Sequence, residues 1–145
     1  MTRTETRKPA DRSFGEGRWQ IARSFLAAAR LQAELDRASG IGNPAISHVV
    51  YAAIAFTDAL TTTFAGHVNQ RDLDDAITIL REALGNRFPH AQEVRLRTIF
   101  SERDGTEHGA ELKTLLEAER LLDALAEFAA WAEGQMTAGV GHAAP

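Results

Sequence analysis

The chain has 145 residues, no cysteine and a formal net charge of −4. That is length for one hydrophobic core, and it excludes a disulfide framework, a thiolate metal site and the broadly basic surface of a non-specific duplex binder. The longest uninterrupted apolar run, Val49 to Phe56, is too short to span a bilayer, and no apolar stretch follows the basic residues near the amino terminus. No signal peptide or membrane span is therefore expected, and the cytoplasm is the default location.

Residues 1–12 are polar and proline-broken, and residues 137–145 are mostly small, so both read as disordered tails around a domain at 13–136. The first helix is expected from about Gly17 to Ser39. Trp19, Ala22, Leu26, Ala29 and Ala33 recur at three- and four-residue steps, with Ile21, Phe25 and Leu35 widening the stripe, and Gly40 is the stop. Asn43-Pro44 reads as a cap followed by a first-turn proline, opening a second helix to about Ala65 that is apolar almost all round and so central.

Leu73, Ala76, Ile77, Leu80 and Leu84 mark a third amphipathic helix, opened near Asn69 with Asp72 in its first turn and closed by Gly85. Pro89 opens a fourth, to about Glu102, facing Leu96, Ile99 and Phe100 inward, and Asp104-Gly105 breaks it. The last is expected from about Glu107 to Gln135, with Leu112, Leu115, Leu122, Ala126 and Ala129 as core and Leu116, Leu125 and Trp131 behind them. Short connections between such helices give an all-α, antiparallel up-and-down bundle of four to five helices.

Most catalytic patterns are missing. There is no phosphate-binding P-loop and no strand followed by G-x-G-x-x-G. No histidine has glutamate three residues before it, so the di-metal pattern of helical bundles is absent. His48, His67, His90 and His142 form no pair at a four-residue step, and each reads as a surface or capping residue. No cofactor and no metal is expected. Asp58 interrupts the most apolar helix: either it marks a solvent edge, or it is buried and needs a partner such as Arg103.

One pairing remains. Arg103 and His108 flank the Asp104-Gly105 break between the last two helices, and the segment before it gathers Arg87, Arg95 and Arg97. Arginine holds a phosphate through a fork of donors and histidine exchanges a proton near neutral pH, which suits phosphodiester cleavage without a metal. The plain structural alternative is that Arg103 bonds the last carbonyls of its helix, Thr106 caps the next, and His108 is a first-turn residue.

The run Ile99-Phe100-Ser101-Glu102-Arg103-Asp104-Gly105-Thr106-Glu107-His108-Gly109, with the alanine- and leucine-rich helix after it, resembles the signature region of HEPN-domain proteins. Their motif is Arg, a polar residue, a short spacer and His, which Arg103, Asp104 and His108 match. Asn43 through Ala59 is similar to the small-residue second helix common in that superfamily.

The resemblance covers residues 17–135 in outline, and only the short motif is specific. It implies a homodimer with two Arg/His pairs at a shared cleft where RNA is cut, His108 acting on the 2′-hydroxyl or leaving oxygen, Arg103 on the phosphate's developing charge, and Asp104 orienting one of them. Relatives that lack the motif imply the alternative, a non-catalytic binding or regulatory module partnered by a nucleotidyltransferase or an antitoxin.

Overall fold

The computed structural model describes residues 7–69, 73–104 and 109–143. In chain order they form β1 (Arg7–Pro9), α1 (Arg12–Leu35), α2 (Asn43–Ala65), β2 (His67–Asn69), α3 (Leu73–Leu84), a 3-10 turn (Gly85–Arg87), α4 (His90–Phe100) and α5 (Leu115–Ala143). The fold is an all-α bundle, with five helices and one small two-stranded sheet among the described residues.

Helix directions follow from which residues meet. Arg18 pairs with Asp58 at 3.1 Å, Trp19 stacks edge-on against Phe56 at 5.0 Å and Phe25 lies 5.5 Å from Tyr51. Numbers rise along α1 as they fall along α2, so the two are antiparallel. Across α2 and α5 both rise: Gly42 sits against Thr114 and Ala118, and Thr63 Oγ1 donates to Met136 Sδ at 3.3 Å. Phe88 before α4 meets Trp131 late in α5, and Glu102 after α4 meets Lys113 before α5, so α4 runs against α5. α1, α2, α4 and α5 thus alternate in direction, with α3 inserted between α2 and α4.

α2 is the axis. Its Ile46, Val49, Phe56 and Leu60 are fully enclosed, joined in the core by Leu80 of α3, Leu96 and Ile99 of α4, and Leu125 and Phe128 of α5. By length and composition α2 is apolar enough to cross a membrane, yet most of its surface is buried inside this bundle. Burying such side chains is worth about 1.5–3 kcal/mol each, which is why so apolar a helix takes the centre.

Both ends are more ordered than the composition predicts. Where a tail is expected, β1 pairs antiparallel with β2, Lys8 opposite Val68. α1 then starts five residues early, because the Asp11 carboxylate accepts from the Phe14 N–H at 2.9 Å and caps it. Gly15 in its first turn has a packing role: a Cβ there would stand 3.2 Å from Thr62 Cγ2, so its absence lets α1 and α2 approach. At the other end α5 continues to Ala143, since Met136 is buried and Gly139 fits a space where a Cβ would come within 2.7 Å of Thr63 Cγ2.

α2 matches its expected limits, although its N-cap position is Gly42, not Asn43, and α3 ends where expected; Asn69, expected to open α3, instead belongs to β2, and Asp72 lies outside the described residues. The last helix does not match. It begins at Leu115 instead of near Glu107, because Thr114 and Glu117 form a reciprocal cap: Glu117 N–H donates to Thr114 Oγ1 at 3.1 Å and Thr114 N–H donates to Glu117 Oε2 at 2.7 Å. Leu112 therefore precedes the helix and is 72% exposed, and Leu116 turns outward. Ile21 and Leu35, expected to widen the α1 core stripe, are also exposed.

Candidate functional site

The connection from α4 to α5 carries the arginine motif and is held firmly at both ends. On the α4 side, Ser101 N–H donates to the Arg97 carbonyl, Glu102 N–H donates to that of Ile99, and Ser101 Oγ donates to the Thr98 carbonyl at 2.7 Å. On the α5 side the chain joins the turn between α1 and α2. Gly42 N–H donates to the Lys113 carbonyl at 2.8 Å and Leu115 N–H to that of Gly40 at 2.9 Å, around a bridge between Ile41 and Thr114.

Two glycines make this junction. Gly40 has φ +70°, a conformation L side chains avoid, and a Cβ on Gly42 would fall 2.2 Å from the Thr114 carbonyl oxygen. Asn43, expected to cap α2, instead reaches across: its Nδ2 donates to the Glu111 carbonyl at 3.1 Å and its Oδ1 accepts from Lys113 N–H at 2.8 Å. Lys113 Nζ then lies 3.6 Å from both the Glu102 and Glu111 carboxylates, which hold its pKa above the usual lysine value, Glu102 most strongly. The Glu102–Lys113 pair ties the base of the loop.

Arg103 and Asp104 follow Glu102 in a helical turn, and both are exposed. Gly105, Thr106, Glu107 and His108 lie outside the described residues. Of the three residues singled out in the sequence, two are thus placed on the surface of this junction, and His108 lies outside the described residues. Thr106, the alternative cap, lies outside the described residues, and Thr114 caps α5.

Asp58 is not a solvent-edge residue, and its partner is Arg18 on α1 rather than Arg103. The carboxylate is only 16% exposed, and Arg18 Nη2 reaches it at 3.1 Å. Burial pushes its pKa up to about 6, outweighing the charge and hydrogen bond of Arg18, which act the other way. His48 is half-buried, with its ring 6.1 Å from Phe25, while His90 is exposed at the start of α4. Among the described residues no three metal-ligating side chains come together.

Several interactions have sequence signatures. Thr114-x-x-Glu117 is the spacing of a capping box, and Glu93 with Arg97 is the four-residue step of a helical ion pair. The Arg18–Asp58 and Glu102–Lys113 pairs have none, since they depend on packing between distant segments. No protein-family model matches the chain, and no curated protein matches it at a significant level.

Proposed function

We propose that this is a HEPN-like protein whose α4–α5 junction cuts RNA without a metal, using Arg103, Asp104 and His108. The observation that carries the reading is the position of the Arg-Asp-x3-His stretch: it opens with two exposed side chains on a loop whose base is tied by Glu102 and Lys113 and braced by Asn43. An exposed loop on a rigid scaffold is where a polymeric substrate gains access to reactive side chains.

In the proposed reaction the RNA 2′-hydroxyl attacks the adjacent phosphorus. The P–O2′ bond forms, the P–O5′ bond breaks, and the products are a 2′,3′-cyclic phosphate and a 5′-hydroxyl. His108 takes the proton from the 2′-hydroxyl or supplies one to the departing 5′-oxygen. Arg103 donates to the non-bridging oxygens as charge builds on them, and Asp104 orients the histidine or the arginine. A homodimer presenting two such sets at one cleft completes the proposal.

The test is incubation of labelled single-stranded RNA with purified protein in excess chelator. Cleavage by the wild type, with His108→Ala and Arg103→Ala each slower by about a hundredfold or more, is the expected result. RNA left intact, or cut as fast by His108→Ala, would sink the reading. Binding without turnover would favour the non-catalytic module instead.

A further inference from the structure

The outward side of α4 carries an arrangement that the catalytic reading does not use. Glu93 holds two arginines at once: Arg81 of α3 donates to its Oε1 through Nε at 2.7 Å and also through Nη2, and Arg97 Nε donates to its Oε2 at 3.2 Å. The Glu93 side chain is half-buried, and about half of each arginine side chain is exposed. The Arg81 guanidinium is further fixed 5.0 Å above the Phe88 ring. The two arginines hold Glu93 below the usual carboxylate pKa, so it stays ionised and keeps them in place.

One carboxylate shared by two guanidinium groups leaves a net positive site, with Nη donors of Arg97 and Nη1 of Arg81 outside the bonds to Glu93. Arg87, stacked 5.3 Å over Phe64, stands at one end of α4, and Arg103 follows the other. The stretch from Arg81 to Arg103 has five arginines and three glutamates, a net +2 in a chain whose other residues sum to −6. Arg30 of α1 and Arg37 just beyond its end are set differently: they line a cleft of about 320 Å3 together with Glu34, Glu119 and Asp123, whose carboxylates oppose an anion.

We propose that this α3–α4 face binds the phosphate backbone of single-stranded RNA, with Arg81 and Arg97 as the fixed phosphate contacts leading the strand toward Arg103. The proposal rests on the RNA-cleaving reading for the identity of the polyanion. Its geometric basis is the Glu93-held arginine pair, whose positions cost little further ordering when a phosphate arrives.

The probe is a fluorescein-labelled 2′-O-methyl RNA of about 20 nucleotides, which lacks the attacking hydroxyl and cannot be cut by the proposed route. Its affinity is measured by anisotropy across a salt series. Wild type should bind, and the double variant Arg81→Gln/Arg97→Gln should bind about tenfold more weakly, its log–log salt slope smaller by roughly 1.4 for two lost phosphate contacts. Arg30→Gln/Arg37→Gln, removing the same charge from the carboxylate-lined cleft, should change affinity by less than about threefold.

Equal weakening by both double variants, unchanged binding by the first, or no binding by wild type would overturn the proposal. Circular dichroism confirms that each variant keeps its helices. Wild type that binds this probe through Arg81 and Arg97 yet leaves ordinary RNA uncut would preserve the proposed surface and remove the catalytic reading.

Discussion

Asp58 shows how a single side chain records the packing of two helices. Its carboxyl is driven toward the neutral form by burial between α1 and α2, and Arg18 recovers only part of that cost. In the folded protein it titrates near 6, against 3.8 when exposed, so between those values the folded state holds a proton that the unfolded chain has lost. The resulting stabilisation is complete below about pH 3.8 and is lost as the pH rises through about 6. At 1.36 kcal/mol per pKa unit it amounts to about 3 kcal/mol.

Denaturant unfolding of wild type and Asp58→Asn at acidic and neutral pH isolates this group. The difference in stability should move by about 3 kcal/mol in favour of the variant between pH 3.5 and pH 7. A difference that stays constant across that range would contradict the burial. The sequence flagged Asp58 as an interruption of an apolar helix, but its partner lies forty residues upstream and is selected only by the antiparallel register of α1 on α2.

Among the elements, those fixed by local chemistry were legible and those fixed by distant contacts were not. α2 starts at Asn43-Pro44 and ends at Gly66, whose φ of +73° is the left-handed stop that glycine favours. β1 has no readable pattern, since three residues held by one partner strand need none. The early start of α1 and the late end of α5 depend on Gly15 and Gly139 fitting against the last turns of α2.

The start of α5 was readable and was masked by a stronger-looking cue. Leu112 continues the spacing of leucines and alanines upstream, yet the Thr114–Glu117 cap ends that continuation and sends Gly109 to Lys113 across to Asn43. Thr114→Ala should therefore cost about 1 kcal/mol, read as a lower thermal midpoint. Thr114→Ser, which keeps the hydroxyl, should recover most of it. An alanine variant as stable as wild type would show that the cap does not set this boundary.

At the scale of the whole molecule, four helices of alternating direction, α2 among them at the axis, bring the α1–α2 turn beside the α4–α5 junction, and this contact anchors the connection that carries Arg103 and Asp104. Those two residues are exposed just past α4, which ends at Phe100 and not near Glu102 as the sequence suggests; the brace from Asn43 and Lys113 follows from tertiary packing and was not readable. The proposed arginine surface lies on α3 and α4, and Arg103 follows α4 in the chain.

The most direct measurement is the chemistry of the RNA ends after incubation in chelator, determined by mass spectrometry. The expected products are fragments ending in 2′,3′-cyclic phosphate paired with fragments beginning in 5′-hydroxyl, both absent with His108→Ala. RNA recovered intact, or fragments beginning in 5′-phosphate, would contradict it.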